Sequence, residues 1–75
     1  MPLTQQECAA AIADHSRAIE LNPDFANAYN NRAVAYHQQK QYDEAWSDIE
    51  TCRKLGGRVD PKFIRQLKKD SGRSE

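Results

Sequence analysis

A chain of 75 residues is long enough for one small domain at most. Its 11 basic and 11 acidic side chains balance, which removes the overall field that attracts nucleic acid or acidic membranes, so neither is an expected partner. The polar mean hydropathy of −0.93 and the absence of a long apolar run exclude a transmembrane segment.

The first residues and the cysteines indicate where the protein works. Met1 to Gln6 lacks the basic start and apolar stretch of a signal peptide. Cys8 and Cys52 are too few for a disulfide framework. We therefore expect two reduced thiols in a cytoplasmic protein.

The chain order predicts four helices. The first runs from about Thr4 to Leu21, where Thr4 and Glu7 match a capping box, and Asn22-Pro23 ends it. The second runs from about Asp24, as N-cap, to Gln39.

After a turn at Lys40-Gln41, the third predicted helix extends from about Tyr42 to Leu55, where Gly56-Gly57 stops it. Asp60-Pro61 is a capped start for the fourth helix, which continues to about Lys69. The fold class is thus all-α, with one domain over residues 4–69 and a disordered tail over 70–75.

The sequence repeats itself weakly with a shift of 34 residues. Small positions fall on small positions and bulky ones mostly on bulky ones. The identities are Ala11 with Ala45, Asp14 with Asp48, and Leu21 with Leu55. Such a volume pattern is typical of stacked antiparallel helix pairs.

Residues Tyr29-x-x-Arg32-Ala33-x-x-Tyr36, followed by Tyr42, Ala45, Ile49, Cys52 and Leu55, resemble a tetratricopeptide repeat. The resemblance implies antiparallel helical hairpins in a fragment of an α-solenoid. One full repeat spans about 26–59, with a half-repeat on each side. Arg32 stands where the family usually has leucine, and Gly57 replaces the closing proline.

The resemblance also implies a protein–protein interaction module whose first helices line a concave groove for a partner peptide or protein. Six residues at helical spacing would face that groove, and a polar surface of this kind suits peptide backbones. A merely solvated face is the alternative. The residues are Asn27, Asn30, Asn31, Val34, His37 and Gln38.

A subfamily of these repeats grips the acidic C-terminal tails of heat-shock chaperones with a carboxylate clamp. Asn31 and Arg65 match two of its five positions, whereas Lys62 is one step out of register. The basic stretch 53–73 fits either an electrostatic docking surface or a solvated face. An acidic tail is therefore one expected partner.

Other chemistry is not indicated. The spacing of cysteines and histidines matches no metal site, and no serine has a catalytic pairing, so we expect no enzyme, metal or cofactor. Asp14, Asp43, Glu44 and Asp48 are expected on outward, solvated faces. Trp46 should pack against Phe63 or Ile64.

Self-association is the alternative function. Half-repeats expose apolar faces that a second copy would cover, giving a homodimer. The turn at 38–41 contains no glycine, so its opening would let two chains exchange helices.

Overall fold

The computed structural model describes residues 4–72 and is built from helices alone over that range. The helices are α1 (Gln5–Leu21), α2 (Ala26–Gln38), α3 (Tyr42–Lys54) and α4 (Pro61–Ser71). The predicted all-α fold of antiparallel hairpins is confirmed. Within these residues, no helix combines the length and apolar character that a bilayer span requires.

The predicted caps of α1 and α4 are present. The Glu7 amide donates to the Thr4 hydroxyl at 3.1 Å, and the Thr4 amide donates to the Glu7 carboxylate at 3.3 Å. At α4, the Asp60 carboxylate accepts from the Lys62 amide at 2.9 Å, and Pro61 occupies the first helical position.

The predicted cap of α2 is wrong. Phe25, not Asp24, precedes the helix, and no side chain caps its amides. The Asp24 amide instead donates to the Asn22 side chain at 3.2 Å, so this segment forms a local turn after α1.

Contacts between helix ends establish the topology. The Cys8 thiol near the start of α1 donates to Gln38 at the end of α2, over 3.5 Å. The Trp46 indole near the start of α3 donates to Ser71 at the end of α4, over 3.2 Å. Successive helices are therefore antiparallel, and the first-type helices α2 and α4 run in the same direction.

The core lies between α2, α3 and α4. Trp46 is only 1% exposed and shares one buried cluster with Ile64, which confirms its predicted packing. Tyr36 packs against the same cluster as Ala45, as a closed hairpin requires. The buried members of the cluster are Ala33, Ala45, Trp46, Ile49, Ile64 and Leu67.

Helices α2 and α3 end in the same hydrogen-bonded turn. After α2, the amide of Gln41 donates to the carbonyl of Tyr36 at 2.9 Å. After α3, the amide of Gly57 donates to the carbonyl of Cys52 at 2.9 Å. This Schellman geometry needs a left-handed residue, which is Gly56 (φ 81°) after α3 but Lys40 (φ 63°) after α2.

Lys40→Gly is expected to stabilise the domain by about 1 kcal/mol, because glycine adopts the left-handed conformation without the penalty of a Cβ. Gly56→Ala is the matched opposite. No atom lies within 4 Å of the added Cβ, so only backbone strain changes. Urea unfolding of both variants measures the effect; equal midpoints for the two would contradict it.

Gly57 also explains the missing family proline. A Cβ at this position would lie 2.6 Å from the Cys52 sulfur and 2.7 Å from the Ala26 Cβ. The Gly57 amide is needed for the turn, and proline has no amide hydrogen to donate. This close contact holds the α1–α2 connection against the α3–α4 connection.

The expected tail begins too early. Helix α4 continues to Ser71, and Gly72 closes it in the left-handed conformation at φ 67°. Asp70 and Ser71, predicted to be disordered, are ordered because they bond to His37 and Trp46 respectively. Residues 73–75 of the predicted tail lie outside the described residues.

Candidate functional site

The outer surface of α2 carries four of the predicted groove residues in accessible positions. Asn27 and Asn31 are exposed, whereas Asn30 and Val34 are half-buried. The three asparagines make no side-chain hydrogen bond within residues 4–72. Their amides are therefore free to donate to and accept from a partner.

The other two predicted groove residues contact the chain itself. Nε2 of His37 lies 2.6 Å from Oδ2 of Asp70, and the His37 ring meets Phe63 edge-on at 5.5 Å between centroids. Gln38 accepts the Cys8 thiol. His37 therefore joins the ends of α2 and α4, and we assign it a positioning role at the groove's margin.

Asp70 is held as an anion at this junction. The Gln66 amide donates to both its oxygens, at 2.9 and 3.0 Å. This hydrogen bond, followed by that to His37, lowers the pKa of Asp70 below its ordinary value.

Because the pKa of Asp70 is lower in the folded chain, its stabilising effect is present at neutral pH. It is lost as the pH falls below about 4, the ordinary value of aspartate. Asp70→Asn should therefore lower the thermal midpoint at pH 7, with the difference from the unmodified chain shrinking as the pH falls below about 4. Calorimetry across this range measures it. A difference that stays constant down to pH ~2.5 contradicts the assignment.

Arg65 lies on α4 at the position equivalent to Asn31 on α2, one 34-residue period later. It is exposed and makes no hydrogen bond or ion pair within the described range 4–72. Lys62 and Lys69 are also exposed on α4, and Asp70, the acidic residue of this helix, is already bonded. This helix therefore presents uncompensated positive charge beside α2.

Sequence reasoning missed a buried ion pair behind this surface. Asp48, expected to be solvated, is 4% exposed and binds Arg32 through two bonds of 2.7 Å each. Arg32 also donates to the Ser16 hydroxyl at 3.1 Å. The sequence signal was present in two unconnected observations: an arginine at a leucine position, and aspartates one period apart.

The surroundings of Arg32 favour its charge. Its guanidinium carbon lies 5.7 Å from the ring centroids of both Tyr29 and Tyr36, which supply their electron-rich faces. The hydrogen bond to Asp48 raises the pKa of Arg32, although burial opposes the shift. The pair connects α1, α2 and α3 directly beneath the asparagine surface.

Metal and thiol chemistry find no support in the part of the chain that is described. No group of three or more metal-ligating side chains converges within residues 4–72. Cys8 and Cys52 are both free and buried. Burial raises the pKa of the Cys52 thiol, which keeps it protonated, so this side chain acts as packing.

Comparison with known proteins matches residues 4–40 to the family described as TPR repeat. The chain is 38% identical over 61 residues to small glutamine-rich tetratricopeptide repeat-containing protein 2 of Mycosarcoma maydis, covering 81% of this chain and 16% of that protein. It is 34% identical over 61 residues to Hsp70-Hsp90 organizing protein 3 of Arabidopsis thaliana, covering 81% of this chain and 10% of that one.

A third relative is the UDP-N-acetylglucosamine--peptide N-acetylglucosaminyltransferase of Giardia intestinalis, 38% identical over 50 residues that cover 67% of this chain and 3% of the enzyme. The chain thus spans less than a fifth of each of these relatives. No solved structure matches it significantly. With the helical hairpins and the period of 34, these matches show that the chain belongs to the tetratricopeptide repeat family and is a protein–protein interaction module.

Proposed function

We propose that this module binds an acidic, extended C-terminal peptide across α2 and α4, without catalysing a reaction. Asn27, Asn30, Asn31 and Val34 would contact the peptide, and Arg65 would pair with its carboxylates. The observation that carries the proposal is the exposure of Asn31 and Arg65 at equivalent positions, with no bond to the rest of residues 4–72.

The charge of α4 supports an acidic ligand. A carboxylate loses its hydration on binding, and charged donors such as the guanidinium of Arg65 offset that cost. One relative is named for organizing Hsp70 and Hsp90, and the resemblance to the carboxylate clamp adds the acidic tails of heat-shock chaperones as the class of partner. With two matched clamp positions, the affinity should be modest.

The test is titration with an acidic pentapeptide bearing a free C-terminal carboxylate. Removing a charged hydrogen-bond partner costs roughly 1.5–3 kcal/mol, so Asn31→Ala with Arg65→Ala should weaken binding about tenfold or more. Isothermal titration calorimetry measures the change. Unchanged affinity in the double variant means that the peptide does not use these residues.

Arg17→Ala is the matched control, because Arg17 is an equally exposed arginine on α1, away from α2 and α4. Its affinity should equal that of the unmodified chain. The same peptide with an amidated C-terminus should bind more weakly, since one carboxylate is removed. Equal losses for Arg17→Ala and Arg65→Ala would indicate unspecific charge attraction.

Self-association is a second candidate, favoured by the strained turn at Lys40 (φ 63°). Opening this turn would release roughly 1–2 kcal/mol of backbone strain and allow two chains to exchange α3 and α4. Sedimentation at high protein concentration should then show dimers that Lys40→Gly suppresses. A monomer at all concentrations removes this candidate.

We also propose a reducing, cytoplasmic location, supported by the two free cysteines.

A further inference from the structure

The inner face of α3 is a template for how a first-type helix docks. Ala45, Ile49 and Cys52 are fully buried on it, and Asp48 is 4% exposed. The occupant is α2, which supplies Ala33 to the core cluster and Arg32 to Asp48. Small residues permit close approach, and one bidentate ion pair aligns the two helices.

Helix α1 carries the same face one period earlier. Its equivalents, displaced by 34 residues, are Ala11, Asp14, His15 and Ala18. Three of them are half-buried and Asp14 is exposed, in contrast to their buried counterparts. The Asp14 carboxylate forms no ion pair or hydrogen bond within residues 4–72.

We propose that this α1 face, defined by Ala11, Asp14, His15 and Ala18, binds an arginine-bearing helix of another polypeptide. The occupant resembles α2: an arginine followed by alanine, flanked three residues before and four residues after by aromatics. Its guanidinium pairs with Asp14 as Arg32 pairs with Asp48. This surface lies beyond the peptide groove and is independent of the function proposed for it.

Asp14 makes the face selective. A docked helix takes the Asp14 carboxylate out of water, and a buried carboxylate without a partner is strongly unfavourable. A helix with leucine at the arginine position would leave Asp14 in that state, whereas arginine satisfies it bidentately. Charge complementarity therefore both attracts the correct helix and rejects the common apolar one.

The probe is a peptide of residues 24–41 of this chain, which contains the complete α2 pattern. Added to the isotope-labelled protein, it should shift the NMR signals of Ala11, Asp14 and Ala18. Asp14→Asn should weaken binding about tenfold, and so should a peptide with Arg32→Leu. Shifts confined to other helices, or affinity unaffected by Asp14→Asn, would overturn the proposal.

Fusion provides a second measurement that does not depend on the folding of a free peptide. Residues 24–41, placed directly before Cys8, reproduce the α2-to-α3 spacing because Cys8 and Tyr42 are 34 residues apart. The arginine fusion should melt higher than its Arg32→Leu counterpart in the graft, and Asp14→Leu should reverse that order. An order independent of residue 14 refutes the role of Asp14 in selection.

Discussion

Trp46→Ala is expected to destabilise the domain by about 3–5 kcal/mol, the usual cost of truncating a buried tryptophan. The side chain is 1% exposed and lies in the one cluster that joins α4 to the rest of the described fold. A domain of this size has a net stability of only ~3–5 kcal/mol. The variant should therefore be largely unfolded at 25 °C by circular dichroism.

Two controls separate core packing from the indole hydrogen bond to Ser71. Trp46→Phe keeps an aromatic ring and loses that 3.2 Å bond, which should cost about 1 kcal/mol in addition to a small packing loss. Phe25→Ala removes an aromatic side chain that is 44% exposed and should have a much smaller effect. A folded Trp46→Ala variant with an unchanged melting temperature would contradict the burial of Trp46.

Asp48→Ala should destabilise the fold by about 3 kcal/mol, the lower end of the range for a broken buried pair. The lower end applies because Arg32 keeps 19% of its side chain exposed and regains some hydration. The loss arises from a guanidinium left between two tyrosines with only Ser16 as an acceptor. Chemical denaturation measures the change.

Asp14→Ala is the matched control in the same chain, one period away and exposed, and should change stability by less than about 0.5 kcal/mol. The double variant Arg32→Leu with Asp48→Leu should recover much of the loss, because an apolar pair replaces a buried ion pair at little cost. Equal effects of Asp14→Ala and Asp48→Ala would show that the buried pair does not contribute to stability.

Local interactions were predictable from the sequence. The caps at Thr4 and Asp60 depend on side chains within three residues of the amides they satisfy, so a short motif identifies them. The closed turn at Lys40 followed from the interrupted apolar pattern and the period. Trp46 followed from its counterpart Ile12 in the preceding repeat unit.

The errors concern contacts between helices. Asp48 has the composition of a solvated residue, and its burial depends on an arginine 16 positions away in another helix. His37 shares a helical stripe with the exposed asparagines, yet Asp70 and Phe63 of α4 cover it. Periodicity identifies a face of a helix, but the neighbour that covers part of that face is set by tertiary packing.

The bond from Arg32 to both Ser16 and Asp48 has a consequence for cooperativity. In repeat proteins, stability is a sum of unit terms and nearest-neighbour coupling. One guanidinium here belongs to both kinds of term, since it bonds within its own hairpin and to the helix of the preceding unit. Amide protons of α1 and α3 should therefore exchange with solvent in a common opening event, rather than α1 fraying independently.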